Sequence, residues 1–276
     1  YHDDVDSART DFNADGSVRS VRIQGQVGDD ATYDLLGVFI QDDIPLLNER
    51  LNVILGARFN YASADADKVQ DPQTGNQISV SDDWTSIVGS VRAIYQIDEA
   101  DHFHAFAGIS QGFRAPNLSD TTRFSSERSG EVETPATGLD PEDFIAYEIG
   151  LKTRYENFNA QAAFFHTDID NLIIRTPTGN VIDGENEVTK KNSGDGYVQG
   201  IEFGASYRFH PQFTAYGSVF WMEGYVDTFP TSAPTKVEEP IDRLIPLTGI
   251  LGLRWAMPKN KTWLEFVTTL AGKQDK

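Results

Sequence analysis

The sequence contains no cysteine and only two methionines. Without thiols there can be no disulfide framework and no Cys-based zinc site. Long apolar runs are also missing: the best stretch, Leu35–Ile40, is already broken by Gly37. A membrane-spanning helix takes roughly 20 apolar residues, so none is expected. Basic residues are scarce, 23 Lys and Arg against 42 Asp and Glu, for a net charge of −19. A nucleic-acid partner would demand the opposite surplus, so nucleic acid is excluded. No His-Glu-x-x-His, Gly-x-Ser-x-Gly or Walker loop occurs. Asp168 and Asp170 fall two apart at a strand end, where solvated carboxylates are the ordinary outcome. The chain therefore reads as not an enzyme. Of the five histidines only His2 lies in a long connection, which weighs against haem as a ligand.

What is present is alternation. Leu51, Val53, Leu55, Ala57, Phe59 and Tyr61 alternate with Asn52, Ile54, Gly56, Arg58 and Asn60. The same period of two runs through 84–97, 143–156 and 196–209, and it marks strands with one apolar and one polar face. Ten such segments are expected, at about 31–42, 50–61, 84–97, 102–113, 143–156, 158–170, 196–209, 212–225, 243–256 and 262–272. A typical globular strand has about 5–6 residues, whereas a tilted membrane-spanning strand needs about 9–11. The lengths match the second. Connections alternate between short turns, near Leu46, Glu99, Asn157, Pro211 and Asn260, and long ones, over 62–83, 114–142, 171–195 and 226–242. One tight turn and one long loop per pair of long strands is the hairpin unit of a membrane barrel. The expected fold is all-β: an antiparallel up-and-down transmembrane β-barrel segment, with long loops at one end and short turns at the other.

Aromatic residues flank the short turns (Tyr155 and Phe158, Phe209 and Phe213, Tyr95 and Phe103, Trp255 and Trp263). Others, Tyr61, Trp84, Phe113, Phe144 and Tyr225, mark the opposite strand ends, as interfacial girdles would. On the polar face, Arg58, Arg92, Glu148, Lys152, Glu202, Arg208 and Arg254 are expected to line the lumen. The charge is segregated. Residues 1–34, 62–83, 115–143, 170–195 and 226–243, the N-terminal stretch and the long connections with their edges, hold 29 acidic and 11 basic residues, which leaves 13 and 12 for everything else. Nearly all of the excess thus belongs to one end. Solvated acidic loops account for most of it, and a mouth that concentrates cations is the functional alternative.

Asp11-x-Asn13-x-Asp15-Gly16 has oxygen donors at alternate positions followed by glycine, the first half of a calcium loop. The twelfth position is Arg22 where a bidentate Glu is expected, so Asp11, Asn13 and Asp15 form an incomplete calcium candidate beside an ordinary Asp-Gly turn. A more distinctive string is Gln111-Gly112-Phe113-Arg114-Ala115-Pro116-Asn117-Leu118-Ser119-Asp120. Pro116 ends a strand ladder because it has no N–H to donate.

That string resembles the Phe-Arg-Ala-Pro-Asn-Leu segment of TonB-dependent outer-membrane receptors. Further stretches are similar to the same family in the same order: Gly37–Asp43, Leu55–Tyr61, Tyr147–Lys152, Asn192–Gly194 with Val198–Glu202, and Ile245–Trp255. The resemblance runs over residues 33–273. It implies a 22-stranded barrel around a plug, driven by the inner-membrane TonB complex, for uptake of siderophore, cobalamin, oligosaccharide or a similar scarce ligand. It places the long loops outside a Gram-negative cell and the short turns in the periplasm. Residues 1–276 then correspond to a partial barrel domain with no plug, no TonB box and no closing strand. The implied partners are outer-membrane lipid, the TonB complex through the missing plug, and a small-molecule or oligosaccharide ligand. Arg114, Asn117, Asp120 and Arg123, at the root of one extracellular loop, are the ligand-binding candidates, with a purely structural turn as the other reading. A passive porin-like channel is the alternative function.

Overall fold

The computed structural model describes residues 1–125, 130–257 and 261–273. Three short strands open the chain: β1 (His2–Val5), β2 (Thr10–Phe12) and β3 (Val18–Val21). Then come β4 (Asp29–Leu46), β5 (Leu51–Gln70), β6 (Gln77–Gln96) and β7 (Phe103–Arg114). A one-turn helix α1 (Leu118–Thr122) and a short strand β8 (Glu131–Thr134) interrupt the long strands. They resume as β9 (Glu142–Arg154), β10 (Phe158–Ile182), β11 (Glu185–His210) and β12 (Phe213–Thr228). β13 (Val237–Pro240), β14 (Thr248–Met257) and β15 (Thr262–Ala271) complete the chain.

One sheet carries β1-β4-β5-β6-β7-β9-β10-β11-β12-β14-β15 in that spatial order, with β8 added to β11 and β13 to β12. β2 and β3 form a separate hairpin. All ten long strands are antiparallel to their neighbours, as the alternation requires. Among the described residues β1 and β15 end the sheet and do not pair with each other. β1 covers only Ala31–Asp34 of β4. The short turn expected near Asn260 lies outside the described residues.

Cross-strand partners project to the same side of a sheet, so the register assigns each face. One face reads Val38, Phe59 and Ile87 across three strands, then Val91, Ile109 and Tyr147, and then Ile149, Phe164, Ile201 and Trp221. These side chains are exposed or half-buried, forming an apolar surface far beyond what a water-facing protein leaves bare. The other face carries every expected lumenal residue. Arg92, Gly108 and Glu148 are aligned, as are His104, Lys152, Gln161 and Gly204. Ala163 aligns with Glu202 and Phe220, and Thr214 with Arg254 and Glu265. Arg58 and Arg208 share this face by two-residue alternation.

Two expectations change. The connections expected over 62–83 and 171–195 are mostly strand. β5 and β6 pair up to Gln70 and Gln77, and β10 and β11 close on the two-residue turn Asp183-Gly184. Left-handed φ values of 51° and 85° at those two residues suit Asp-Gly in a hairpin turn. The overhang beyond a membrane-spanning length is about 10 residues per strand, or roughly 20–25 Å at barrel tilt. The second change concerns the girdle. Trp84 pairs with Ala62, and Phe144 with Gly112, so both lie on the polar face. Trp263 pairs with Ala256 on that face as well, under the Arg254 guanidinium at 5.5 Å. Alternation is strict, and these aromatics sit one residue out of phase with the apolar row.

Candidate functional site at the loop end

The buried core lies beyond the apolar band, where connections fold onto the polar side of the strands. Alternate alanines of β5, Ala62, Ala64 and Ala66, leave room for Leu118 and Ala115 to pack against them, with Val80 and Trp84 of β6. The Trp84 indole N–H donates to the Leu139 carbonyl at 2.8 Å. Gln24 is fully enclosed: its amide donates to the Thr122 carbonyl at 2.8 Å and accepts from the Gln70 N–H at 2.7 Å. The connection after β7 therefore roofs the polar face, reaching β5 and β6 on one side and β11, through β8, on the other.

Arg114 ends β7 and faces Glu142 at the start of β9. Its guanidinium donates from Nε and Nη2 to the two Glu142 oxygens, at 2.5 and 2.6 Å. Nη1 reaches Asp120 at 2.7 Å. Pro116 and Asn117 then turn the chain. The Asn117 side chain accepts from Ser119 N and Asp120 N, and Asp120 accepts from Asn117 N, a capping box on α1. Arg123 donates to Ser119 Oγ at 3.2 Å and faces Glu133 at 3.8 Å. The four ligand-binding candidates are thus brought together, and each is engaged within the protein. Hydrogen bonding to Glu142 raises the Arg114 guanidinium further above its usual value; burial opposes this and Asp120 reinforces it. The Glu142 side chain is 4% exposed and that of Asp120 12%, so both depend on this arginine for charge compensation.

A second group of carboxylates was not legible in the sequence. Glu131 lies buried on β8, accepting from Arg175 Nη1 at 2.8 Å and from Ser232 Oγ at 2.5 Å. Arg175 also donates to the Phe229 carbonyl, so Glu131 and Arg175 tie two connections to β10. Glu187 accepts from Thr178, Asn180 and Thr134. Burial pushes its carboxyl up, and these hydrogen bonds more than offset that, holding it below the ordinary range. The one signal available was the alternation of Glu131, Glu133 and Glu187 with β-branched residues at 132, 134 and 188.

The calcium candidates fall on the β2–β3 hairpin. Asp11 accepts from Arg22 at 2.8 Å and Arg9 at 3.1 Å, and chiefly Arg22 holds its pKa at about 2. Asp15 caps its own turn through Ser17 N and Oγ, and the Asn13 amide donates to Ser17 Oγ. Among the described residues no group of three or more His, Asp or Glu is placed to hold a metal ion.

The chain is similar in fold to several solved receptors. A hemophore receptor HasR mutant of Serratia marcescens, in complex with its hemophore HasA and heme, superposes with a TM-score of 0.74 at 15% identity, covering 99% of this chain and 47% of that one. The apoprotein form of the FrpB iron transporter from Neisseria meningitidis gives 0.62 at 20%, covering 87% and 33%. The siderophore receptor PiuA of Acinetobacter baumannii gives 0.65 at 12%, covering 94% and 43%. The chain thus spans less than half the length of each. No curated protein sequence matches it. The family model for the TonB dependent receptor-like β-barrel matches residues 1–274. Together with a sheet of one apolar and one polar face, this match establishes that the chain belongs to the TonB-dependent receptor β-barrel family, a Gram-negative outer-membrane class of receptors and transporters rather than enzymes.

Proposed function

We propose that this chain forms part of the barrel wall and extracellular mouth of a TonB-driven receptor that takes up a scarce ligand, a metal chelate or a comparable small molecule. The observation that carries the reading is the continuous polar face across ten strands, roofed at its extracellular end by the connection 115–141. A passive channel needs the polar face but not the roof. Arg114, Asn117, Asp120 and Arg123 act here as the frame that holds the roof, and ligand is met by the surfaces they position. The acidic connections favour cargo with cationic character at the mouth. Partners would be outer-membrane lipid on the apolar face and the TonB complex through a plug.

Ligand-induced fluorescence quenching of the intact receptor, against a panel of ferric siderophores, cobalamin, haem and oligosaccharides, tests binding. Uptake of whichever ligand binds, measured with and without an inner-membrane proton gradient, tests energy coupling. Gradient-independent uptake would favour the passive channel, and silence across the whole panel would count against uptake of these classes.

A further inference from the structure

Register in a β-barrel is set by turns where the turns are tight. Five seams of this sheet close at the short-turn end: β4–β5, β6–β7, β9–β10, β11–β12 and β14–β15. Four close at the loop end. Of these, β5–β6 has the compact connection 71–76, with Asp71 accepting from the Gln73 and Thr74 N–H groups, and a single register irregularity, at 66/69. The other three cannot inherit their register from a turn. Residues 115–141 separate β7 from β9, and 229–247 separate β12 from β14. β10 and β11 meet at a tight turn, but three register irregularities, at 169/172, 172/173 and 177/181, intervene before the membrane-level ladder.

Those same three seams carry inward aromatic rings laid over a directly opposite glycine. On β7–β9, Phe106 faces Gly150 and Phe144 faces Gly112. On β10–β11, Phe165 faces Gly200. On β12–β14, Tyr216 faces Gly252. The Phe106, Phe165 and Tyr216 rings occupy the space a Cβ on the opposite glycine would need, and a Cβ on Gly112 would come within 3.2 Å of Phe144 Cβ. Each of these three rings is further held in place: Lys152 lies over Phe106 at 4.8 Å, Phe220 stacks on Phe165 at 6.2 Å, and the Tyr216 hydroxyl donates to Glu265 at 2.9 Å. In the paired registers of the described residues, no seam closed by a short turn has such an inward pair.

We infer that Phe106–Gly150, Phe144–Gly112, Phe165–Gly200 and Tyr216–Gly252 are register locks, used where connections are too long or too irregular to specify strand pairing. A slip of two residues keeps every side chain on its own face, so the apolar and polar patterns do not oppose it. It does place a ring against a residue with a Cβ. A ring on glycine is the feature that distinguishes the native register from its slipped neighbours.

This chain contributes no cysteine of its own, so paired cysteines introduced into it can report the register. In the intact receptor, Ala215→Cys with Leu253→Cys reports the native β12–β14 register, because these residues are opposite each other. Ala215→Cys with Leu251→Cys, and Ala215→Cys with Trp255→Cys, report the two slipped registers. Assembly is followed by the heat-modifiable gel shift during refolding into vesicles. Tyr216→Ala, which adds no bulk, should slow assembly about fivefold and yield slipped cross-links, from the loss of about 1 kcal/mol of cross-strand preference. Gly252→Val should do so more strongly, since the three atoms nearest its added Cβ all belong to the Tyr216 ring. Gly204→Val is the control: it faces inward with nothing closer than 3.9 Å to its added Cβ, and should assemble at the wild-type rate. If Gly252→Val fails to fold, Tyr216→Ala decides. The inference is overturned if Tyr216→Ala assembles at the wild-type rate with native cross-links only, or if Gly204→Val is impaired as much as Tyr216→Ala.

Discussion

Replacing Arg114 by alanine tests whether the roof over the polar face is a rigid brace. Arg114 is the shared partner of Glu142 and Asp120, joining the two ends of the connection to the cap of α1. Its removal leaves Glu142 nearly enclosed, with the Ile173 N–H at 2.9 Å as its remaining close donor. Breaking a buried pair from one side costs about 3–5 kcal/mol, because the abandoned charge stays desolvated. Arg114 is itself partly exposed, so the lower bound applies: about 3 kcal/mol, or roughly two orders of magnitude in local opening. Hydrogen exchange on the intact receptor reads this directly. Backbone amides of residues 117–123 and 131–142 should exchange about 100-fold faster in Arg114→Ala, while the β9–β10 ladder at 145–152 keeps its protection. Arg58→Ala is the control, since Arg58 donates to Asn60 on its own strand and, among the described residues, makes no hydrogen bond to the roof. Protection over 117–123 and 131–142 within about threefold of wild type would refute the brace, whatever else the variant did. Glu142→Gln should lose less, and the double variant should be far from additive, because both changes break one pair.

Three further outcomes are expected. Glu187 and Asp29 are both held below the usual carboxylate range, Asp29 chiefly by the Ser7 N–H with Lys68. A depressed carboxylate stabilises above its unfolded value and loses that contribution as pH falls through the folded one. Protection of 178–189 and of 5–8 should therefore be constant above about pH 5 and fall steadily below about pH 4; a loss already complete at pH 6 would contradict these assignments. Trp84→Phe removes one buried hydrogen bond and should cost about 1–2 kcal/mol, read as faster exchange around Leu139 with the strand registers intact. Ile149→Arg, on the apolar face near mid-band, should destabilise the folded barrel in vesicles by about 2–4 kcal/mol, whereas Glu148→Arg, one residue away on the polar face, should stay within about 1 kcal/mol; equal effects would mean that the two faces do not meet different media.

Much of this architecture is legible in the chain. Long alternating runs place ten strands and both faces, because a sheet with one apolar and one polar face requires strict alternation and the side chains obey it. The strand extensions were harder to see. Ala62, Ser63, Ala64, Asp65 and Ala66 do alternate, but alanine is a faint apolar marker, and its role here is to be small beneath Leu118. Asp183-Gly184 was a turn signal in plain view, between Ile182 and Glu185, masked by the polar residues around it. At the mouth, Arg114 and Asn117 stood out as a string, but their partner Glu142 lies far along the chain and carries no local mark. Trp84 and Phe144 lie near strand ends, as belt residues would, but a single residue of phase turns them to the polar face. The bridge between Glu131, Arg175 and Ser232 joins two connections and a strand and has no signature within any one of them.

The Asp183-Gly184 hairpin offers a practical handle. It is the tip of the longest strand pair, raised well clear of the apolar band and closed by just two residues in left-handed conformation. A short epitope or protease site inserted there would interrupt no membrane-level hydrogen bond. Antibody staining of unbroken cells would then report sidedness, and clipping by added protease would count receptors at the cell surface without a known cargo.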